Sequence, residues 1–301
     1  MLKRLINELR KPHILLLKIF VKCPWLISDK LFLKYKFMVL MHKKLNLSTP
    51  KTFNEKLQWL KLYDRKPEYS DMVDKAEAKR VVANLVGEQH IIPTLGIWNK
   101  FDDIDFSQLP DKFVLKTTHG CGGVIICKDK AKLDIAAVKK EIDFSYKYNY
   151  FAYGREWPYK SLKPRIIAEQ LMVDESGVEL KDYKFFCFDG EPKALFVATD
   201  RPHDTRFDFF DLEFNHLPFT NGHENATKQI HKPLNFELMI DIARKLSVGI
   251  PHVRVDLYNI NGIVYFGELT FFHWGGMVPF VPEEWDYKFG SWINLPNDPK
   301  N

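Results

Sequence analysis

Three charged residues stand inside apolar, β-branched and aromatic sequence late in the chain. Arg254 and Asp256 interrupt one such run, and Glu268 interrupts the next. The runs are typical of half-buried strands, and Asn261-Gly262 between them is a strong signal for a β-hairpin. Two carboxylates beside a guanidinium suit a divalent hard cation with a phosphate next to it. The alternative is the solvated outer face of an edge hairpin, so other segments must decide.

The length of the turn decides whether these charges share a face. Side chains alternate faces along a strand, so a shift of one residue in register moves a residue to the opposite face. A two-residue loop would pair Asp256 with Gly267 and place Glu268 on the other face. A three-residue loop, with Gly262 in the left-handed conformation, would pair Arg254 with Glu268 and collect all three charges on one face. We therefore predict a loop with an odd number of residues.

The length and composition are those of a globular protein. The chain has 301 residues, 46% of them hydrophobic, which is enough for a full core and for two compact lobes with a small appendage. Its four cysteines show no CxxC spacing, so neither a disulfide framework nor a zinc site is indicated. A reducing, cytoplasmic location fits this composition best.

The net charge of +5 is unevenly distributed along the chain. Residues 1–44 hold 11 lysines and arginines against two acidic residues, a local charge of +9, which leaves −4 for residues 45–301. A mildly acidic body argues against a nucleic-acid partner. The basic character therefore belongs to an N-terminal arm.

This arm, residues 1–47, is predicted to be helical and amphipathic. Lysines interrupt every apolar run, so it neither spans a membrane nor resembles a signal peptide. Basic residues mixed with Leu, Ile, Phe and Trp25 fit a helix on an anionic membrane surface, with residues 1–44 touching the inner face of the plasma membrane. A helix packed on the body with a solvated basic face fits equally well.

The elements that must position the hairpin charges divide the remaining chain into three parts. Residues 48–110 predict helices followed by a short strand. Residues 111–190 predict strands around a glycine-rich loop. Residues 191–301 predict a C-terminal lobe in which a helix over residues 234–246 leads into the hairpin.

The glycine-rich loop runs from Thr117 to Gly123 between two apolar strands and follows Lys116. Such a loop can lay backbone N–H groups over a polyphosphate, while Lys116 adds a compact positive charge. The loop matches neither the P-loop pattern nor the strand-to-helix dinucleotide pattern. Loop glycines are more often simple turn formers, so this signal alone is weak.

The order of these features resembles the ATP-grasp superfamily. A helical lysine, Lys75, is followed by Lys116 with its glycine-rich hairpin, by a strand ending in Glu169, and by the Arg-x-Asp and Glu of the late hairpin. The resemblance implies an α+β fold in which two α+β lobes enclose ATP, with the basic helical arm attached. In that superfamily two lysines reach the phosphates and late acidic residues hold magnesium.

The resemblance also implies a nucleotide site. The residues that would contact ATP are Lys75, Lys116, His119, Gly120, Gly122, Gly123, Glu169, Gln170, Met172 and Asp182. Backbone groups of the strand ending at Glu169 would read the adenine. Asp182 would meet the ribose, with Glu179 as the alternative. His119 could touch a phosphate or be an ordinary exposed loop residue.

The hairpin would carry the catalysis, with ATP and Mg²⁺ as cofactors. Arg254 matches the family's arginine on the oxyanion, Asp256 a metal ligand and Glu268 the glutamate that bridges metal ions. The family's usual Glu-x-Asn is replaced here by a motif that ends in Thr270. Thr270 can offer one oxygen, which leaves the second metal site open.

Longer phrases resemble a narrower group, the TupA-like ATP-grasp family. The phrases are Pro50–Asp64, Leu109–Lys116, Pro164–Glu169 and Asp182–Gly190. Members are implicated in teichuronopeptide and capsular polysaccharide synthesis and are often labelled glycosyltransferases.

This resemblance implies a carboxylate-amine ligase that uses ATP and an acyl phosphate to join an amine or amino acid to a uronic acid. Its substrate would be a small-molecule or lipid-linked saccharide. A glycosyltransferase, for which an Asp-x-Asp metal motif is one common sign, is a second candidate. A non-catalytic assembly factor with a degraded ATP site is a third, because Thr270 departs from the family pattern.

Overall fold

The computed structural model describes residues 12–120, 122–174, 180–200 and 204–296. Across these segments, no helix combines the length and the apolar character that crossing a membrane requires. Two antiparallel sheets, of four and six strands, organise the described residues. Each sheet has its own hydrophobic core.

The N-terminal arm folds back on the body. Its described part contains α1 (Pro12–Lys22) and α2 (Asp29–Met41), and the Ser28 hydroxyl caps α2 by accepting a hydrogen bond from the Leu31 N–H at 3.4 Å. The arm residues buried in the main core include Leu17, Phe32, Leu33 and Phe37. These two helices therefore pack on the body, which was one of the two interpretations of the arm, the other being contact with a membrane surface. Residues 1–11 lie outside the described residues.

Three helices follow, namely α3 (Phe53–Tyr63), α4 (Glu68–Val73) and α5 (Glu77–Val86). A capping box fixes the start of α3: the Thr52 hydroxyl accepts from the Glu55 N–H, and the Glu55 carboxylate accepts from the Thr52 N–H, both at 3.2 Å. These helices confirm the helical character predicted for this part of the chain.

A four-stranded antiparallel sheet carries the glycine-rich loop. Its strands are β1 (Thr94–Trp98), β2 (Phe113–Thr117), β3 (Ile125–Cys127) and β4 (Ile166–Gln170). Their spatial order is β1-β4-β2-β3, and the loop joins β2 to β3. Helices α6 (Ile135–Tyr146) and α7 (Tyr150–Gly154) come next, and Val138 and Ile142 of α6 pack with Phe113 in the smaller core.

The second sheet has six strands and forms the centre of the main core. The remaining strands are β5 (Asp182–Phe188), β6 (Glu191–Thr199), β7 (Arg206–Phe210), β8 (His216–Leu217), β9 (Thr220–Asn221), β10 (Val253–Ile260), β11 (Ile263–Thr270) and β12 (Phe280–Val281). The spatial order in the sheet is β11-β10-β5-β6-β7-β8, while β9 and β12 pair separately.

Helices cover both faces of β5, which is buried along its whole length. On one face, the Phe185 ring lies 5.8 Å from the first residue of α8 (Phe236–Ser247). On the other, Phe186 meets Phe289 of α9 (Glu284–Trp292) at 5.1 Å. Because β5 is packed from both sides, it is a rigid neighbour for the hairpin strand β10 that pairs with it.

The turn between β10 and β11 corrects the prediction of an odd-numbered loop. Ile260 pairs with Ile263, so the loop has two residues, Asn261 and Gly262. Their φ angles are 52° and 84°, in the left-handed region that two-residue hairpin loops of this kind require. The prediction of the loop length was therefore wrong.

A β-bulge at Gly267 nevertheless brings the charges to one face. Leu257 pairs with Phe266, but Asp256 pairs with Glu268, so Gly267 is the extra residue in β11. One inserted residue reverses the faces beyond it, as an odd-numbered loop would have done. Arg254, Asp256 and Glu268 thus share a face by a route that the sequence pattern did not indicate.

The bulge predicts a measurable sensitivity to a methyl group at Gly267. A Cβ there would lie 3.0 Å from the backbone oxygen of Asp256. We therefore expect Gly267→Ala to lower the free energy of unfolding by about 1–3 kcal/mol through overpacking, as measured by urea denaturation. The control is Ile263→Ala, at an exposed position of the same strand, with an expected change of about 0.5 kcal/mol or less. Equal stability of the two variants would contradict this account.

Candidate active site

A cavity of about 790 Å³ lies between the glycine-rich loop and the hairpin strands β10 and β11. Its size is that of a pocket for a nucleotide-sized or drug-sized molecule. The charged and loop residues that line it include Lys75, Gly120, Gly122, Gly123, Lys184, Arg254, Glu268, Thr270 and His273. Residues far apart in the chain thus meet around one space.

Arg254 is the centre of the charged group in this cavity. Its Nε and Nη2 donate to the two carboxylate oxygens of Asp256 at 2.6 and 2.7 Å. Nη2 also donates to Glu268 at 3.3 Å and to the Thr270 hydroxyl at 3.0 Å. The structure therefore brings together the four hairpin residues predicted for catalysis and metal binding.

His273 holds the far side of the guanidinium. Its Nδ1 lies 2.8 Å from Nη1 of Arg254, and its Nε2 lies 2.8 Å from Oδ1 of Asn221. Arginine can only donate, so Nδ1 accepts and Nε2 carries the proton. Burial and the Arg254 charge hold the pKa of His273 well below its usual range, which keeps the ring neutral. His273 therefore positions the arginine.

Glu268 presents an ionised carboxylate to the cavity. Its side chain is 38% exposed, and it is exposed to this cavity. Burial raises its pKa, but the charges of Lys184, Lys75 and Arg254 outweigh burial and bring the pKa to about 2. A carboxylate that stays ionised at neutral pH is a suitable ligand for a hard cation.

Lys184 is a functional candidate that the sequence interpretation missed. It pairs with Asp256 across β5 and β10, and its ammonium forms an ion pair with that carboxylate. The ammonium also lies 3.4 Å from Asp182. A lysine inside an apolar strand was the available signal.

Asp182 belongs to this charged group through Lys184. It is buried at the start of β5, beside the side chains that surround Arg254. The structure thus places it next to the predicted metal ligands. Glu179, the other predicted ribose contact, lies outside the described residues.

Lys75 lies in the turn between α4 and α5 rather than within a helix as predicted, and it joins this turn to the glycine-rich loop. Its backbone N–H donates to the Thr118 carbonyl at 3.0 Å, and its ammonium donates to the Gly120 carbonyl. Gly122 and Gly123 have φ angles of 114° and 57°, which favour glycine. The loop is thereby held with its glycines along the cavity and a lysine beside them.

His119 occupies a different place from either one expected for it. Its imidazole is buried edge-on against Tyr146 and Tyr150, at ring distances of 6.2 and 5.9 Å. Burial lowers its pKa, so the ring is neutral. It is neither exposed nor among the residues that line the cavity.

Lys116 and Glu169 form one ion-pair group with a second lysine. The Glu169 carboxylate lies 2.5 Å from the Lys116 ammonium and 2.6 Å from that of Lys79. Burial raises the pKa of Glu169, but the two lysines outweigh it and lower the pKa overall. Lys79, four residues after Lys75 and within α5, was not singled out from the sequence. The Glu169 carboxylate thus binds two ammonium groups, and neither Lys116 nor Glu169 is among the residues that line the cavity.

Gln170 and Met172 lie at and just beyond the end of β4. The Gln170 N–H donates to the Pro93 carbonyl at 3.0 Å, while its side chain is exposed and Met172 is half-buried. Neither lines the cavity. Their contact with adenine stays a prediction.

The donor set fits a magnesium ion that phosphates and water complete. No group of three or more metal-binding side chains occurs within the described segments. Mg²⁺ is commonly held by one or two protein carboxylates plus substrate phosphates. Glu268 and Asp256 would hold it here, although both Asp256 oxygens also contact Arg254. The Thr270 hydroxyl, 3.3 Å from Glu268, is the third available oxygen.

An Arg-x-Asp strand and a glutamate strand face a glycine-rich antiparallel loop across the cavity, the arrangement that the resemblance to the ATP-grasp superfamily implies. The family model described as TupA-like ATPgrasp matches residues 55–294. The chain therefore belongs to the TupA-like ATP-grasp family, which confirms the suspected family and the α+β ATP-grasp fold. No curated protein matches the chain.

Similar solved structures are distant. The D-alanine–D-alanine ligase of Bacillus anthracis complexed with ATP is 17% identical with a TM-score of 0.38, covering 66% of this chain and 53% of that one. The ATP-grasp ligase PsnB complexed with minimal precursor, Mg and ADP is 13% identical with a TM-score of 0.39, covering 72% and 57%. The chain spans just over half the length of these two structures. Likeness at this level carries no argument about the reaction.

The charge on Glu268 is directly testable. Lys184 is the cation that contributes most to lowering its pKa to about 2, so Lys184→Met should raise that pKa. Because the pKa of Glu268 is lower than its ordinary value of 4.5, its ionised form stabilises the folded protein. This stabilisation is lost by protonation as the pH falls from 4.5 towards 2. Carboxyl ¹³C NMR over pH 2–6 measures the pKa, with Lys193→Met at an exposed position as the control. An unchanged Glu268 titration in the Lys184 variant would contradict the assignment.

Proposed function

We propose that the protein is an ATP-dependent carboxylate-amine ligase that works through an acyl phosphate. We use the name Arg254 group for Arg254 and the side chains that contact it, which are Asp256, Glu268, Thr270 and His273. The observation that supports the proposal most is that this group faces the glycine-rich loop across one cavity. Attack of a carboxylate on a γ-phosphate brings anions together, so fixed cations are needed where charge accumulates. Lys75, Lys184 and Arg254 supply such cations on the cavity wall.

Each residue of the group has a specific task in this proposal. Arg254, oriented by His273 and Asp256, donates hydrogen bonds to the oxyanion of the reacting carboxyl group. Lys75 and the glycine-rich loop bind the phosphates, with Lys116 adding charge from β2. Mg²⁺ held by Asp256 and Glu268 would neutralise the phosphate oxygens.

The proposed substrates are a uronic acid and an amine or amino acid, joined by an amide in the synthesis of a cell-surface polysaccharide. This rests on family membership and on the resemblance that led to it. The saccharide would be a small molecule or lipid-linked, and the enzyme would work in the cytoplasm at the inner face of the plasma membrane.

A glycosyltransferase has less support from the described residues. The sequence contains an Asp-x-Asp, Asp103 to Asp105, of the kind that some glycosyltransferases use for metal. The Asp105 carboxylate instead accepts from the N–H and hydroxyl of Ser107 at 2.9 and 2.6 Å. Neither aspartate lines the cavity.

The ligase proposal predicts a specific loss of turnover in Asp256→Asn. Removing this carboxylate should lower Mg²⁺-dependent ADP release by at least about 100-fold, the effect of losing one electrostatic contact in an active site. Glu268→Gln, at the cavity-exposed carboxylate, tests the same site without altering a fully buried charge. ADP and phosphate are assayed with a panel of uronic acids and amino acids.

Asp241→Asn, at an exposed position of α8, serves as the control for that assay and should keep full turnover. Melting temperatures of all variants show whether they fold. Unchanged turnover in the Asp256 and Glu268 variants would overturn the metal assignment. Consumption of a sugar nucleotide without ADP release would favour the transferase instead.

Membrane contact through the arm has its own test. Trp25 is 77% exposed and Leu26 59% exposed in the short segment between α1 and α2. Because α2 is buried in the core, removal of residues 1–44 would damage the fold, so Trp25→Ser with Leu26→Ser is the sharper change. We expect this variant to bind anionic phosphatidylglycerol vesicles several-fold more weakly in a sedimentation assay. Equal vesicle binding by wild type and variant would contradict membrane contact through this segment.

A further inference from the structure

The cavity that contains Arg254 is also lined by Lys36 and Glu156. Behind them lies Lys61, whose side chain is 1% exposed. We call Lys36, Lys61 and Glu156 the Lys36 cluster. The reaction proposed at Arg254 uses none of these three residues.

Both lysines of the cluster are buried and held by backbone carbonyls. The Lys36 ammonium donates to the Tyr153 carbonyl at 2.9 Å and stands 3.9 Å from the centre of the Tyr153 ring. The Lys61 ammonium donates to the Gly275 carbonyl at 2.8 Å. Lys36 as a whole is 7% exposed, so its charge is largely removed from water at a wall of the cavity.

The cluster contains more positive than negative charge. The Glu156 carboxylate lies 3.9 Å from the Lys61 ammonium. In the described part of the chain, no carboxylate lies within 4.0 Å of the Lys36 ammonium. The nearby Asp29 carboxylate is shared between Arg155, at 3.2 Å, and Arg65, at 2.9 Å. A buried ammonium without a close carboxylate is costly, so it either loses its proton more readily or is stabilised by a bound anion.

Three consecutive residues connect this cluster to the Arg254 group. His273 contacts Arg254, Trp274 exposes its indole ring to the cavity, and the Gly275 carbonyl receives Lys61. Trp274 has a φ of 50°, an unfavourable conformation for a bulky residue that is most often found at functional sites. Its ring is held against Phe207 at 6.0 Å. A flat apolar ring therefore stands between two charged groups along one wall.

We propose that the Lys36 cluster is a subsite for an anionic group of a saccharide substrate, either a carboxylate or a phosphate that remains unreacted. Lys36 binds the anion, and the exposed face of Trp274 supports the apolar face of the sugar ring. The role of the bound molecule as a substrate rests on the proposed ligase function. Binding itself does not, and it is measured without turnover.

Isothermal titration of the full chain with three hexoses tests the subsite. D-Glucuronate and D-glucose 6-phosphate are the two anionic probes, and D-glucose is the matched neutral probe. We expect the better anionic probe to bind about 10- to 100-fold more tightly than D-glucose, the range of a charge-assisted hydrogen bond. The comparison of the two anionic probes shows whether the subsite takes a carboxylate or a phosphate.

Lys36→Met should remove the advantage of the anionic probes while leaving D-glucose binding unchanged. Methionine fills similar space without a charge, and thermal unfolding confirms that the variant folds. Lys34→Met, at an exposed position of the same helix, is the control and should bind all three hexoses as the wild type does.

The pH dependence of D-glucuronate binding provides a second readout. Burial, together with the charges of Lys61 and Arg155, lowers the pKa of Lys36 to about 7, against the opposing effect of Glu156. The anion binds the protonated lysine, so the affinity should fall as the pH rises from 7 to 9. This fall in affinity should be absent in Lys36→Met. If Lys36 only supported the fold, its protonation would not make the affinity depend on pH.

Equal binding of all three hexoses by the wild type would overturn the proposal, as would full anion binding by Lys36→Met. Tighter binding of D-glucosamine than of D-glucuronate, abolished by Glu156→Gln, would show a cation site and also overturn it. The subsite and the ligase function fail separately, since Asp256→Asn should keep anion binding while it loses ADP release.

Discussion

The burial of Arg254 beside Asp256 is the constraint on which the rest of the site depends. Two charges taken out of water are tolerated only when their hydrogen bonds are satisfied and their geometry is held. Asp256 accepts two of the guanidinium's hydrogen bonds, and His273 fixes a third nitrogen. Lys184 places a second cation against the same carboxylate. The resulting group has a fixed geometry before any ligand arrives, as electrostatic catalysis requires.

The fold supplies this geometry from two independent cores. The six-stranded sheet is packed on both faces around β5, and it holds the Arg254 group on its hairpin. The glycine-rich loop belongs to the smaller sheet and is tied to the helices by Lys75 and by Arg165, which bridges Asp74 and Glu77 at 2.8 and 3.0 Å. The cavity between them is therefore bounded by one wall of each sheet. Such a cavity can be lined by anion-binding groups from one sheet and by carboxylates from the other.

Sequence patterns singled out several residues that line the cavity, because charges inside apolar strands are unusual and the order of motifs is specific. They gave the wrong turn length, since a bulge at Gly267 depends on local backbone contacts that alternation does not encode. Lys184 was missed because its partner, Asp256, becomes its neighbour only through strand pairing. His119 was placed wrongly because a glycine-rich loop does not reveal which of its side chains turn inward. The Lys36 cluster has no sequence signature, because its members come together only in the fold.

In the proposed reaction the glycine-rich loop and Lys75 bind the phosphates of ATP, while the carboxylates beside Arg254 hold the metal ion. A crystal structure of the full chain with a non-hydrolysable ATP analogue and Mg²⁺ tests this most directly. Phosphate oxygens are expected within hydrogen-bond distance of the loop's N–H groups and of Lys75. Mg²⁺ is expected to bind to Glu268 and Asp256. A nucleotide bound elsewhere, or a metal ion without either carboxylate, would contradict it.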